Sequence, residues 1–369
     1  MILWQGMIRG LRMKKSLSII LGVAFLITFV ACGTSAQTGK SAGGENTENV
    51  GMILETESTE VQKEKITLVY AEVNPLNTIA GQTAKAFKEK VEELSKGTIV
   101  IDVQHSAVLG SENEVLESML NDSGMIDLAR ISAFALTNYG GEKSKLLSLP
   151  YTFASREHFW KFATSDLAAE FLLEPYENGS NVRGLFYGEE GFRHFFSTEP
   201  LQNIEDLQGM NIRVSEDPVM VRLVECLGAN PKEVAFGDLY TSLSRAEVNA
   251  AEQPLSNYQS NAFAEVAGNV ILDGHTLGAI QVVITDSAWQ KLTTEQQDIL
   301  KQAGAYASEM NHTISEQMEA EVLQELEDAD CNIVEVSDIK PWKQAVEPLI
   351  LEQISGLEEV YQQILDMNQ

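Results

Sequence analysis

The chain has 369 residues, with 54 acidic against 26 basic side chains and a net charge of −28 at pH 7. That balance excludes a nucleic-acid binder, which needs basic patches, and attachment to an anionic membrane by charge alone. The five histidines are scattered and no C-x-x-C, H-E-x-x-H or G-x-S-x-G occurs. No metal site, hydrolase triad or cofactor is therefore expected.

In chain order, Arg9, Arg12, Lys14 and Lys15 precede an apolar run from Leu17 to Ala31, and no acid appears before Glu45. Basic n-region, short apolar core and small residues are the layout of a secretory signal. The run is shorter than the ~20 residues a membrane-spanning helix needs. MKKSLSII, from Met13, reads as the natural beginning. The signal, residues 1–31, ends in Phe29-Val30-Ala31-Cys32-Gly33. This resembles the lipobox of bacterial lipoproteins, with Phe29 where Leu is usual, and implies that Cys32 is lipidated and anchors the chain to the cell membrane. Residues 32–64, rich in Ser, Gly, Thr, Asn and Glu, read as a flexible tether. Removing residues 1–31 takes away four basic groups and no acids, which leaves a net charge of −32.

Beyond Lys65, strand-like and helix-like segments alternate. Residues 66–70 read as a strand. Residues 78–94 carry Ala80, Ala84, Phe87 and Val91 on one helical face. A strand at 99–103, a helix at 112–120 and a strand at 126–131 follow. A second set comprises strands at 182–187, 210–214 and 248–251, with helices at 219–227 and 237–244. The rhythm predicts an α/β protein with a mostly parallel, doubly wound sheet, and about 300 residues suffice for two lobes. Residues 294–329 keep Leu300, Ala303, Ala307, Met310, Ile314, Met318 and Val322 at three-or-four spacing without proline. Such a helix reaches roughly 50 Å, long enough to cross both lobes. The competing reading is two helices broken near Gly304 or Asn311. Cys226 and Cys331 read as two buried thiols, with a disulfide as the alternative.

The segment EDLQGMNIRVSEDPVMVRLVECLGANPKEVAFGDLYTSL, residues 205–243, resembles the solute-binding proteins of tripartite ATP-independent periplasmic (TRAP) transporters. LGSENEVLESM, SLPYTFASREHFWKF and GFRHFFSTEPLQNIEDL match the same family in order and spacing, and the likeness runs over residues 66–308. The sugar-acid group of that family is the most similar, through YAEVNP (70–75), LARIS (128–132), RVSED (213–217) and DGHT (273–276). The resemblance implies a two-lobed periplasmic-binding-protein-like (class II) fold whose long helix spans both lobes. Residues 65–190 with 278–310 are expected to form one lobe, and 191–277 with 311–369 the other, the chain crossing near Glu190 and Leu277. It also implies a monomeric receptor, not an enzyme, with a small organic acid such as a uronate and TRAP membrane subunits as partners.

Only seven arginines follow the signal, and Arg130, Arg193 and Arg213 lie in or beside apolar, strand-like segments. A guanidinium in a dry cleft is costly unless an anion matches it, and its planar fork suits a carboxylate. By position in the family, Arg213 is the principal carboxylate clamp and Arg193 the second; internal ion pairs are the alternative for all three. Glu72 and Glu216 are candidates to accept ligand hydroxyls, or else are solvated loop carboxylates. Gln253 stands where the family has a ligand-contacting Asn, and Pro254-Leu255 where the sugar-acid group has Asn-Trp. Phe236 either flanks the ligand or packs in the core, and His275, after a strand end, reads as structural.

Other functions remain in competition at this level. They are an extracellular sensor feeding a signalling kinase, a C4-dicarboxylate-type TRAP receptor, and a secreted carbohydrate-active enzyme. The last needs a pair of carboxylates placed for acid–base work, which nothing in the sequence fixes.

Overall fold

The structure is a computed structural model that describes residues 65–329 and 331–368. The signal, Cys32 and the tether lie outside the described residues. Nine strands among the described residues form one sheet: β1 (Ile66–Ala71), β2 (Ile99–Gln104), β3 (Leu128–Ser132), β4 (Val182–Ser197), β5 (Asn211–Val214), β6 (Asn230–Glu233), β7 (Ala250–Pro254), β8 (Asn269–Thr285) and β9 (Asn332–Glu335). Their order is β2-β1-β3-β8-β4-β7-β5-β6, with β9 beside β8.

The expected parallel pairing holds at each end of this sheet. β1 runs parallel to β2 and β3, and β5 runs parallel to β6 and β7. Between these sets, β4 and β8 form a long antiparallel pair, so the sheet is mixed rather than mostly parallel. The strand foreseen at 182–187 continues to Ser197, and β8 was foreseen only as a strand ending before His275. Register shifts break the β4–β8 ladder between Glu189 and Phe192 and between Arg193 and Phe195. Gly191 lies in the first of these irregularities with φ +92°, a left-handed conformation that a side chain would strain.

Helix starts follow local chemistry. Thr78 Oγ1 accepts from Gly81 N at 3.1 Å and caps the helix Ile79–Leu94. Ser111 and Glu114 form a capping box that fixes the start of Glu112–Leu120, which places Glu112 against β3. Thr293 and Gln296 do the same for the helix Thr294–Asp328.

That last helix is continuous over 35 residues. Its first half buries Leu300, Ala303 and Ala307 in one apolar cluster with Leu68, Phe87 and Ile99. Its last turns bury Val322 and Leu326 in another with Leu243, Tyr258 and Phe263. The two residues that suggested a break are contact points with the sheet. A Cβ on Gly304 would sit 2.8 Å from the Phe186 ring, so glycine permits the close approach. Asn311 is fully buried and hydrogen-bonded to β4. Cys226 and Cys331 are free thiols, each only partly buried. Among the described residues no helix is long and apolar enough to cross a membrane.

Candidate functional site

A cleft of about 720 Å³ is bordered by both parallel strand sets and by the crossing strand β4. Its wall includes Arg130 of β3, Glu190 and Arg193 of β4, Arg213 of β5 and Gln253 of β7, with Glu216 and Phe236 from connecting segments. All three predicted arginines are therefore brought to one site. They are not equivalent.

Arg130, 5% exposed, is engaged by two carboxylates. It donates to Glu112 Oε2 at 2.9 Å and pairs with Glu190 through its other terminal nitrogen. The same Glu112 oxygen accepts from the Ser132 amide at 3.0 Å and the Ser132 hydroxyl at 3.2 Å. Burial alone would weaken the Arg130 cation, but Glu190 and then Glu112 outweigh it and raise its pKa. Arg193 forks onto Glu252: Nε donates to Oε2, and a terminal nitrogen donates to Oε1 at 2.8 Å. Glu252 is fully buried. Burial pushes its carboxyl up, yet the Arg193 guanidinium and the His275 imidazole hold it down at about 2.

Arg213 differs. It is 3% exposed, its Nε donates to the Val234 carbonyl at 2.8 Å, and no carboxylate among the described residues lies within ion-pair distance. Burial lowers its pKa to about 10, only partly opposed by Glu252, so it stays charged at neutral pH. Two of the arginines match the internal-pair reading, while Arg213 alone presents an unengaged fork to the cleft.

The remaining predicted residues divide similarly. Glu216 is exposed on the cleft wall and accepts from the Asn113 amide, on the helix Glu112–Leu120 between β2 and β3. Gln253 is 4% exposed and lines the cleft. Phe236 is partly buried and lines it too, edge-on to Phe263 at 6.2 Å. Glu72 does not line the cleft. It is buried behind Asn74, accepting from the Asn74 amide nitrogens at 2.8 and 2.9 Å. Burial raises it to about 7 although Arg130 opposes this.

His275 lies inside β8 rather than after a strand end. It is buried, with Nδ1 2.7 Å from Asp273 and Nε2 3.5 Å from Glu252, and its ring stacks on Phe195 at 4.5 Å. It supports Glu252 from behind the cleft. Asn74, Glu112, Asn113, Glu190 and Asn257 line the cleft but were not foreseen. Asn74 lies in YAEVNP, and Glu112 and Asn113 in LGSENEVLESM, where Glu112 opens a helix marked by a capping box.

The fold and the arginine-lined cleft define a two-lobed solute-binding receptor. The chain belongs to the bacterial extracellular solute-binding protein family 7, whose pattern matches residues 70–356, and it is of the TRAP type. A solute-binding protein of Roseobacter denitrificans is 30% identical over 272 residues, 74% of this chain and 82% of the relative. The sialic acid-binding periplasmic protein of Vibrio cholerae is 26% identical over 277 residues, 75% and 85% of the two chains. The crystal structure of the Roseobacter denitrificans protein with bound L-galactonate superposes with TM-score 0.75 at 27% identity, covering 83% of this chain and 99% of that one. A TRAP solute-binding protein of Pseudomonas putida F1 with bound D-glucuronate gives TM-score 0.77 at 23% identity, with 81% and 96% covered.

Proposed function

We propose that this protein is an extracytoplasmic receptor that captures a sugar acid by its carboxylate and delivers it to the membrane subunits of a TRAP transporter. The observation that carries this reading is the buried, unpaired Arg213 guanidinium facing the cleft. A carboxylate there gains two charge-assisted hydrogen bonds. Glu112 and Glu190 on the same wall are ion-paired with Arg130, whereas the exposed Glu216 disfavours a second ligand carboxylate and suits a hydroxyl donor. The sugar acids bound by the Roseobacter and Pseudomonas proteins agree with this. Cys32 carries the lipid anchor, and Cys32→Ala releases the chain from the membrane or leaves the signal uncleaved. The lobe division at Glu190 and Leu277 is supported by the β4–β8 crossing there.

The test is a thermal-shift screen of uronates, aldonates and dicarboxylates, followed by calorimetric titration of wild type and Arg213→Ala with the best acid. Truncating one partner of a buried charge pair costs ~2–5 kcal/mol, so affinity falls at least roughly thirtyfold. Equal affinities overturn the carboxylate reading. Preference for succinate or malate over every sugar acid overturns the ligand class.

A further inference from the structure

We infer that Asn257 is a specificity-determining residue of the cleft, which takes a hydroxyl of the bound acid on its side-chain amide. The inference rests on the receptor reading above. Asn257 lies in the short helix Leu255–Ser260, directly after the end of β7 that carries Gln253. It is 3% exposed yet lines the cleft, and its Oδ1 has no hydrogen-bond partner among the described residues. Ser256 and Ser260 of the same helix also have unpartnered hydroxyls, but of the three only Asn257 lines the cleft; Tyr258 Oη donates to the Ala267 carbonyl at 2.8 Å, and Asn261 Nδ2 donates to the Asn257 carbonyl at 2.8 Å.

The fold gains nothing visible from the Asn257 amide. A buried acceptor without a donor is desolvated with no return. The adjoining Leu255 and Tyr258 belong to an apolar cluster, so a nonpolar side chain at 257 would suit the local packing. A buried polar group that the fold leaves unpartnered, and that borders the cleft, is placed for a ligand. Its chemistry narrows what it takes. The unpartnered Oδ1 can only accept, so it matches a hydroxyl donor and not a carboxylate oxygen. Gln253, which also lines the cleft, presents another amide four residues earlier. An acid lacking the matching hydroxyl leaves the buried acceptor orphaned, the situation that gives the strongest discrimination in polar sites.

The experiment uses L-galactonate and its single-deoxy forms, titrated calorimetrically into wild type, Asn257→Ala and Asn257→Asp, with Tm measured for each ligand-free protein. Wild type is expected to lose at least roughly tenfold in affinity for one particular deoxy acid. In Asn257→Ala that same deletion costs less than about threefold, because the partner is already gone. Asn257→Asp, which keeps an acceptor, retains the wild-type pattern. The Tm of Asn257→Ala stays level or rises. The inference is overturned if no deoxy penalty is relieved in Asn257→Ala, or if that variant's weaker binding accompanies a Tm fall of more than roughly 5 °C. If neither galactonate nor any other sugar acid binds wild type, the receptor reading fails first and this one with it. Binding of galactonate that Arg213→Ala abolishes, with an unchanged deoxy pattern in Asn257→Ala, overturns this inference alone.

Discussion

The Asn311 side chain pairs with both backbone groups of Glu189: its Oδ1 accepts from the Glu189 amide at 2.8 Å and its Nδ2 donates to the Glu189 carbonyl at 3.0 Å. The amide thus behaves like a strand partner for one residue, at the place where β4 loses register with β8. A further bond runs from Nδ2 to Thr83 Oγ1 at 2.8 Å, which ties in the helix Ile79–Leu94. Ser315 and Glu319, one and two turns further on, bond Glu189 Oε1 and the Phe192 amide. A single face of the long helix therefore fastens the crossing strand.

Asn311→Ala leaves buried donors and acceptors of β4 unpaired, each costing about 1–3 kcal/mol. Stability is expected to fall by ~2–4 kcal/mol, read as a shifted urea midpoint at unchanged m. A loss below roughly 0.5 kcal/mol would show that β4 recovers its bonds elsewhere.

Arg193 and Arg213 should respond oppositely in the ligand-free protein. Arg193→Ala strands the fully buried Glu252, and breaking a buried pair costs ~3–5 kcal/mol. Arg213→Ala removes a buried cation that has no carboxylate partner, so stability stays level or rises while ligand affinity collapses. Chemical denaturation of both variants beside wild type separates the two roles.

His275 makes stability depend on alkaline pH. Burial alone would lower the imidazole, but Asp273 and then Glu252 raise it from 6.5 to about 9. The protonated ring is favoured in the folded chain, so its contribution is complete below pH 6.5 and is lost as pH rises through 9. The loss is on the order of 3 kcal/mol. Urea midpoints of wild type should decline over this window, and those of His275→Gln should decline less. A parallel decline in both proteins would locate the effect elsewhere.

Across the cleft, the Asn113–Glu216 bond joins two exposed side chains, one on the helix Glu112–Leu120 and one just after β5. Exposed polar pairs contribute little, so Asn113→Ala and Glu216→Ala should each change stability by under ~1 kcal/mol. The double variant should be less destabilised than the two single losses added. Strict additivity in a double-mutant cycle would mean the bond is not held in solution.

Legibility of the fold tracked how local each cause was. The helix Thr294–Asp328 could be read because its apolar spacing is unbroken and its contacts repeat every turn. The far ends of β4 and β8 could not. Gly188-Glu189-Glu190-Gly191 and Asp273-Gly274-His275 carry the glycines and charges that usually punctuate strands. They are strand residues here because their carboxylates are met by Arg156, Arg130 and His275, partners brought by tertiary structure. The site shows the same divide. Arginines in apolar strands mark a cleft from sequence, but which of them is free depends on carboxylates as distant as Glu252 is from Arg193, 59 residues away. Asn257 carries no pattern at all, and only its unmet oxygen distinguishes it.

Asn311 also bisects its helix, with 17 residues on either side. Each arm is about 25 Å long. The bonds of the helix to β4, from Ser308 to Glu319, centre on this midpoint. Tilting it by ~10° about that point carries each tip roughly 4 Å, in opposite directions. The tips are embedded in two separate apolar clusters. By this geometry, a small change of angle in β4, the strand that carries Arg193 and Glu190 into the cleft, would translate into displacements of ångström scale far from the ligand.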